Sequence, residues 1–163
     1  MSLEILKAKL SVIAVLATPP VVGPDVPTAA PAPLVQETTH AARGFDLDAT
    51  VPPERVVDAA RVMDEAAFML EAITGVDWLA EQHFEVVYDY TSIATGERVT
   101  VRTRLPRATP ELPSIAGIHP GANWHEREAH DFFGLVFTGH PGLGILLLPE
   151  DATFHPLLKD FSA

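Results

Sequence analysis

The sequence predicts an α+β fold: a small mixed sheet with an antiparallel hairpin, a few helices on one face, and an extended C-terminal tail. Two alternating apolar patterns joined by a turn predict the hairpin. An amphipathic stripe and a capped segment predict two helices, and a run rich in glycine and proline predicts the tail. We expect an N-terminal arm over 1–43, an α+β domain over 44–134 and the extended tail over 135–163.

The charge and the cysteine content exclude several classes of function. The 163 residues include 11 lysines and arginines against 22 acidic residues, a formal net charge of −11. A nucleic-acid binder needs a basic face to displace counterions from phosphates, so this chain is not predicted to bind nucleic acid. It contains no cysteine, which excludes disulfides, thiolate zinc sites and iron–sulfur ligation by this chain alone. Any metal would have to bind histidine and carboxylate.

The N-terminal 18 residues carry an apolar run, Leu10–Ala17, that follows two lysines. This start is similar to that of a signal peptide, but Glu4 and the Thr-Pro-Pro that follows the run argue against one. A membrane span needs about 20 apolar residues, so the run is too short to cross a bilayer. It predicts a short helix or a docking strand.

The next segment, Pro19–Pro33, contains six prolines in fifteen residues. Proline fixes φ and provides no amide donor, so we expect this segment to be extended and outside any helix or sheet. Its composition is consistent with a linker and with an arm laid on a partner. We expect the domain to fold without residues 1–40.

The domain is predicted to begin with a short strand around Leu47, ended by Pro52 and Pro53, which open a helix. A helical stripe follows at Val56, Ala60, Met63 and Ala67. Such a stripe is a core face or a partner groove, and core packing is the commoner case. Gly75 is expected to turn the chain into Val76-Asp77-Trp78.

The hairpin is predicted from Phe84–Ile93 and Arg98–Leu105, joined by Ala94–Glu97. One face is apolar and includes Phe84, Val86, Tyr88, Tyr90, Val99, Val101 and Leu105. The other face carries Arg98, Arg102 and Arg104, with Glu85, Val87 and Asp89 opposite. This charged face is expected to be in solvent or covered by a neighbouring subunit.

A helix is predicted from Ala122 or Asn123 to Phe133, with Asn123 as cap and Gly134 after its end. It carries His125 and His130, whose five-residue separation places them about 140° apart around the axis, too far to share a metal ion. The zinc-protease pattern is therefore excluded.

Two pairs on this helix are four residues apart, Arg127 with Asp131 and Glu126 with His130. This spacing predicts ion pairs on the helix surface or at a subunit interface. The alternative is catalysis with Glu128 or Asp131 as general base. The segment supplies no nucleophile, phosphate loop or metal for it.

These residues resemble the C subunit of respiratory complex I, the NADH:quinone oxidoreductase, a family shared with membrane-bound NiFe hydrogenases. The resemblance covers roughly residues 45–163 and includes 51–55, 75–78, 84–88 and 112–115. Its most specific part comprises Asn123, Trp124, Glu126, Arg127, Glu128, Asp131, Gly134, Gly139, His140, Pro141, the segment 146–151, His155, Pro156, Leu157, Lys159 and Asp160. The chain has Gly142-Leu143-Gly144 and Leu158 where the family often has arginines.

The resemblance implies a cofactor-free structural subunit whose tail docks onto the subunit related to the hydrogenase large chain. Iron–sulfur clusters, flavin and quinone, or a NiFe centre, are then expected in partner subunits. The motif residues Trp124, Glu126, Arg127, Glu128, Asp131, Gly134, Gly139, His140, Pro141, His155, Pro156, Lys159 and Asp160 would serve the interface and the fold rather than catalysis. The subunit would be peripheral, on the cytoplasmic side of the inner membrane, as part of a membrane-bound complex.

Two alternatives remain at this stage. One is the equivalent subunit of an energy-converting NiFe hydrogenase or formate hydrogenlyase. The other is a stand-alone enzyme that uses histidine and carboxylate, which a bound metal or turnover in the isolated chain would reveal.

Overall fold

The computed structural model of the protein describes residues 1–14 and 34–162. Within these ranges the helices are α1 (Leu3–Ala14), α2 (His40–Arg43), α3 (Val56–Glu65) and α4 (Ala122–Phe133), with 3₁₀ turns at Pro53–Arg55 and Leu79–Glu81. The strands of the described residues are β1 (Val35–Glu37), β2 (Leu47–Thr50), β3 (Met69–Trp78), β4 (His83–Thr91), β5 (Arg98–Pro106), β6 (Glu111–Pro113) and β7 (Val136–Thr138). The prediction for Pro19–Pro33 falls outside the described residues.

The main sheet has five strands in the order β1-β2-β5-β4-β3. Neighbouring strands within this sheet run antiparallel, except that β2 and β5 run parallel to each other, so the sheet is mixed. Strands β6 and β7 form a separate parallel pair. Helices α1, α3 and α4 contribute to one apolar cluster with the inner face of the sheet. The predicted α+β class is confirmed.

The hairpin has the predicted strands and faces, except that β4 ends at Thr91 and Ile93 lies in the turn. Tyr88 pairs with Val101 and Tyr90 with Val99 on the inner face, where all four side chains are buried. On the outer face Arg104 donates from Nε to Glu85 (3.1 Å), and the Thr100 hydroxyl donates to Asp89 (2.8 Å). The arginines therefore lie among carboxylates and cover the outer face of the sheet.

The turn predicted at Gly75 is wrong, because Gly75 lies inside strand β3 and pairs with Val86. A glycine is needed there for space: a Cβ would lie 2.7 Å from Cδ2 of Phe133. The Phe133 ring also packs edge-on against Phe84, with 6.5 Å between ring centroids. Helix α4 therefore approaches the sheet over the backbone of Gly75.

We predict that Gly75→Ala lowers the free energy of unfolding by about 1–3 kcal/mol, because the added methyl forces the Phe133 ring out of its place. Denaturant titration measures the change. Gly117→Ala is the matched control, since nothing lies within 4 Å of a Cβ at that position. Equal midpoints for the two variants would contradict this account of Gly75.

Two helix predictions need correction at their ends. In α3 the residues Val56, Ala60 and Met63 are buried as expected, but the helix ends at Glu65 and Ala67 is exposed with φ of 60°. Helix α4 has the predicted bounds and the left-handed Gly134 after its end (φ 73°), but Gly121 occupies its N-cap and Asn123 lies inside it.

The N-terminal segment contributes to the core. Leu6, Leu10, Ile13 and Ala14 of α1 are buried and belong to the main apolar cluster. Strand β1 adds the edge of the main sheet beside β2. The expectation that the domain folds without residues 1–40 therefore conflicts with this packing, because their removal would expose the apolar side chains beneath α1.

Candidate functional site

Helix α4 carries two buried carboxylates, Glu126 (0% exposed) and Asp131 (2% exposed). Glu126 accepts hydrogen bonds from the Ser114 hydroxyl (2.5 Å) and the Ile115 amide (2.8 Å). Burial raises the pKa of Glu126, and these two donors partly oppose the rise. Glu126 thus fixes the chain just after β6 to the helix.

Asp131 binds the backbone of the chain beyond β7. Its Oδ2 accepts from the amides of Leu146 (2.9 Å), Leu147 (2.7 Å) and Leu148 (3.2 Å). Burial opposes the charge, but the three amide donors outweigh it, and the pKa of Asp131 lies below its ordinary value. One carboxylate therefore fixes three consecutive residues of a segment that has no regular secondary structure.

Arg127 also binds this segment through the backbone. Its Nε donates to the carbonyl of Gly144 (3.0 Å) and its Nη2 to that of Ile145 (2.7 Å). The guanidinium lies 5.6 Å from the centre of the Trp124 ring. The predicted Arg127–Asp131 pair is wrong, since each side chain is used by backbone groups of the segment instead.

The predicted Glu126–His130 pair is also absent from the described part of the chain. The ring of His130 lies toward the end of α4, with Nδ1 2.9 Å from the Leu135 carbonyl. The histidine near Glu126 is His140, whose Nε2 lies 3.9 Å from Oε2. His140 Nδ1 accepts from the Gly142 amide (2.9 Å) and its Nε2 lies 3.3 Å from the Asn123 carbonyl. Because Nδ1 accepts a hydrogen bond, Nε2 is the ring nitrogen that can donate to the Asn123 carbonyl.

His155 packs against the end of α4. Its Nδ1 lies 2.8 Å from the carbonyl of Asp131, and a Cβ at Gly134 would lie 2.9 Å from the imidazole ring. The next turn is held by the Leu157 amide, which donates to the Phe132 carbonyl (3.1 Å). Gly134 is therefore required both for its left-handed backbone and for the approach of His155.

The last described residues are held by a buried charge on β3. Asp77 accepts from Arg107 Nε (3.0 Å) and Nη2 (3.2 Å), and from the Lys159 amide (2.9 Å). Arg107 also donates from Nη1 to Asp160 Oδ2 (3.0 Å) and from Nη2 to Oδ1 (2.5 Å). The Arg107 guanidinium thus bridges the buried carboxylate of Asp77 and the exposed carboxylate of Asp160.

We call residues 139–162 the C-terminal segment. It leaves Leu147, Phe154, Leu157 and Phe161 largely exposed, with Phe154 stacked on Phe161 at 5.6 Å between centroids. The motif residues Trp124, Glu128, Gly139, Pro141, Lys159 and Asp160 are exposed as well, and Pro156 is half-buried. At positions where the family often has arginines, Leu143 and Leu158 pack against the apolar core.

The sequence prediction missed Ser114, Asp77 and Arg107 as functional residues, although Ser114 and Asp77 fall inside the family motif. Asp77 had a detectable signal: once 69–78 is assigned as a strand, Ile73, Gly75 and Asp77 share its inner face. A carboxylate on an inner face needs a partner. Arg107 had no local signal, because its partners are 30 and 53 residues away.

The arrangement positions backbone rather than a reacting group. Glu126, Arg127, Asp131 and Asp77 each bind at least one backbone amide or carbonyl of the chain. Among residues 1–14 and 34–162, no three histidines or carboxylates lie close enough to hold a metal ion. Nor is any helix in those ranges long and apolar enough to span a bilayer. The fold and site define an α+β domain that holds one of its own segments as a fixed surface feature.

The sequence matches the family described as the 30 kDa subunit of respiratory-chain NADH dehydrogenase, over residues 49–163. The chain belongs to this family, and its resemblance to complex I is confirmed. The C subunit of the NADH-quinone oxidoreductase of Roseiflexus sp. (strain RS-1) is 47% identical, over 71% of this chain and 69% of the relative. The corresponding protein of Chlorobium phaeobacteroides is 39% identical, over 74% of this chain and 80% of the relative.

Two solved structures share the fold. A chain of the archaeal membrane-bound sulfane sulfur reductase, a respiratory membrane complex, superposes with a TM-score of 0.70 and 32% identity. The match covers 80% of this chain and 79% of that chain. A trypsin-resistant fragment of Nqo5 superposes with a TM-score of 0.53 and 31% identity, over 63% of this chain and 92% of the fragment.

Proposed function

We propose that this protein is a structural and assembly subunit of the peripheral arm of a complex I-type NADH:quinone oxidoreductase. The C-terminal segment docks onto the subunit that resembles a hydrogenase large chain and carries the quinone site. Iron–sulfur clusters, flavin and quinone are held by that subunit and its neighbours. The subunit lies on the cytoplasmic side of the inner membrane, as a peripheral part of this membrane-bound complex.

One observation carries this proposal: the C-terminal segment is fixed by buried charges on one side and exposes apolar side chains on the other. Leu147, Leu157 and Phe154 are 60%, 50% and 43% exposed. A segment of this kind buries little apolar surface of its own, so a protein partner that covers these side chains gains from their removal from water. Trp124 on α4 is also exposed (60%) and lies beside Arg127, which binds residues 144 and 145 of the segment.

We predict that Leu147→Asp combined with Phe154→Asp prevents incorporation into the parent complex, because a charge at each position opposes burial in an interface. Both side chains are exposed in the single chain, so its melting temperature is expected to stay within about 2 °C of the wild type. Affinity purification of the tagged subunit followed by native electrophoresis measures incorporation.

Ile93→Asp is the matched control, since Ile93 is 82% exposed at the tip of the hairpin, away from the C-terminal segment. It is expected to assemble normally. Full assembly of the double variant would refute docking through this segment.

One observation supports a second candidate for the parent complex: the structural match to a chain of the sulfane sulfur reductase complex. In that case the same segment would dock in a related redox complex such as an energy-converting hydrogenase. The identity of 47% to the C subunit of Roseiflexus sp. (strain RS-1), against 32% to the sulfane sulfur reductase chain, favours the NADH-quinone oxidoreductase. Mass spectrometry of the co-purified proteins separates the two.

A further inference from the structure

We propose that Asp77 and Arg107 form a latch that holds the C-terminal segment in its docking conformation before any partner binds. The proposal rests on the docking function proposed above. It assigns a role to two residues of the sheet layer that lie outside the segment itself. On this proposal the C-terminal segment is already ordered in the isolated chain.

The inner half of the latch is a buried ion pair. The Asp77 side chain is completely buried, and the Arg107 side chain is only 17% exposed. Arg107 donates two nitrogens to the two oxygens of Asp77, a bidentate geometry that fixes the guanidinium plane. The face of Arg107 lies 5.7 Å from the centre of the Phe84 ring. The guanidinium is therefore held in place by the domain, whatever the segment does.

The outer half of the latch captures the segment. With its guanidinium held, Arg107 presents Nη1 and Nη2 to Asp160, while Asp77 accepts the Lys159 amide. Arg107 lowers the pKa of Asp160, so this carboxyl is ionised at neutral pH. The capture uses one side chain and one backbone group of neighbouring residues, which fixes both the position and the direction of the chain there.

The C-terminal segment is thus bound to the domain at three positions along its length. Residues 144–148 are bound by Arg127 and Asp131, His155 packs on Gly134, and residues 159–160 are bound by the latch. Ordering a loop of this length on binding would lower affinity through lost conformational entropy. Because the domain provides the order beforehand, the partner meets Leu147, Phe154 and Leu157 at fixed spacing.

The test uses hydrogen exchange of the full, isolated chain. In the wild type we expect the amides of 146–148 and Lys159 to exchange well below their intrinsic rates. Asp160→Asn keeps the Asp77–Arg107 pair and removes the outer ionic contact, so exchange at Lys159 is expected to rise about tenfold. The hairpin amides of β4 and β5 are expected to stay unchanged. Arg61→Ala, which removes an exposed arginine on α3, is the matched control.

A second variant distinguishes loss of the outer contact alone from loss of the whole latch. Arg107→Ala strands Asp77 as well, so exchange is expected to rise both at Lys159 and along β3. Intrinsic exchange rates at 146–148 and Lys159 in the isolated wild type would overturn the latch, even if the protein still assembles. Protection there without incorporation into a complex would support the latch and refute the docking function on which it rests.

Discussion

Truncation of Leu10 to alanine is expected to lower the free energy of unfolding by about 3 kcal/mol. Leu10 is 0% exposed and lies in the cluster shared by α1, α3 and the inner face of the sheet. Loss of the isobutyl group removes apolar contacts and leaves a cavity that the surrounding helices fill only in part. Thermal or denaturant unfolding of the full chain measures the change.

Val12→Ala provides the control within the same helix. Val12 is 71% exposed, two residues from Leu10, and its truncation is expected to change stability by less than about 0.5 kcal/mol. Similar, small effects of the two variants would show that α1 does not contribute to the cooperative core. The boundary predicted at residue 43 would then coincide with the edge of the stable domain.

Replacement of Asp131 by alanine is expected to lower the free energy of unfolding by about 3 kcal/mol, through loss of a carboxylate that accepts three amide hydrogen bonds. Asp131→Asn keeps the shape and one acceptor oxygen but not the charge, so it is expected to lose roughly half as much. The exposed neighbour Glu128 provides the control: Glu128→Ala should leave stability nearly unchanged.

The effect of Asp131 has a defined pH dependence. Its pKa is lowered in the folded protein, so the carboxylate contributes its full stabilisation above the unfolded pKa, near 3.8, and loses it as the pH falls through the folded value. The stability difference between wild type and Asp131→Asn should therefore be largest at neutral pH. It should shrink in unfolding experiments carried out below pH 3.8. A difference that grows toward acid pH would contradict the amide-bound carboxylate.

The sequence predicted the elements whose signals are local. The hairpin follows from alternation on its two strands, and α4 ends where Gly134 allows a left-handed residue. Strand β3 was missed because Gly75 was interpreted as a turn, whereas the reason for that glycine is the ring of Phe133, 58 positions later. The burial of α1 was missed because the local sequence of this helix does not indicate which elements it packs against.

In the candidate site, too, local features were predicted and contacts between distant residues were not. The charged residues of α4 were identified from their density and from the family pattern, but their partners were not. Spacing of four residues predicts a helix-surface pair, and it cannot reveal that backbone groups of 144–148 compete for the same side chains. The Arg107 contacts connect residues 30 and 53 positions apart, so only the folded chain brings them together.

Strand β3 is one edge of the main sheet, and at ten residues it is long enough to pair with a strand of another molecule. Two of its features resist such association. The register shift between Leu70 and Ala72 interrupts the regular ladder, and Asp77 places an inward-facing charge near its other end. An inward-facing charge on an edge strand disfavours pairing with a strand of another molecule, so Asp77 also acts against edge-to-edge association of the free protein.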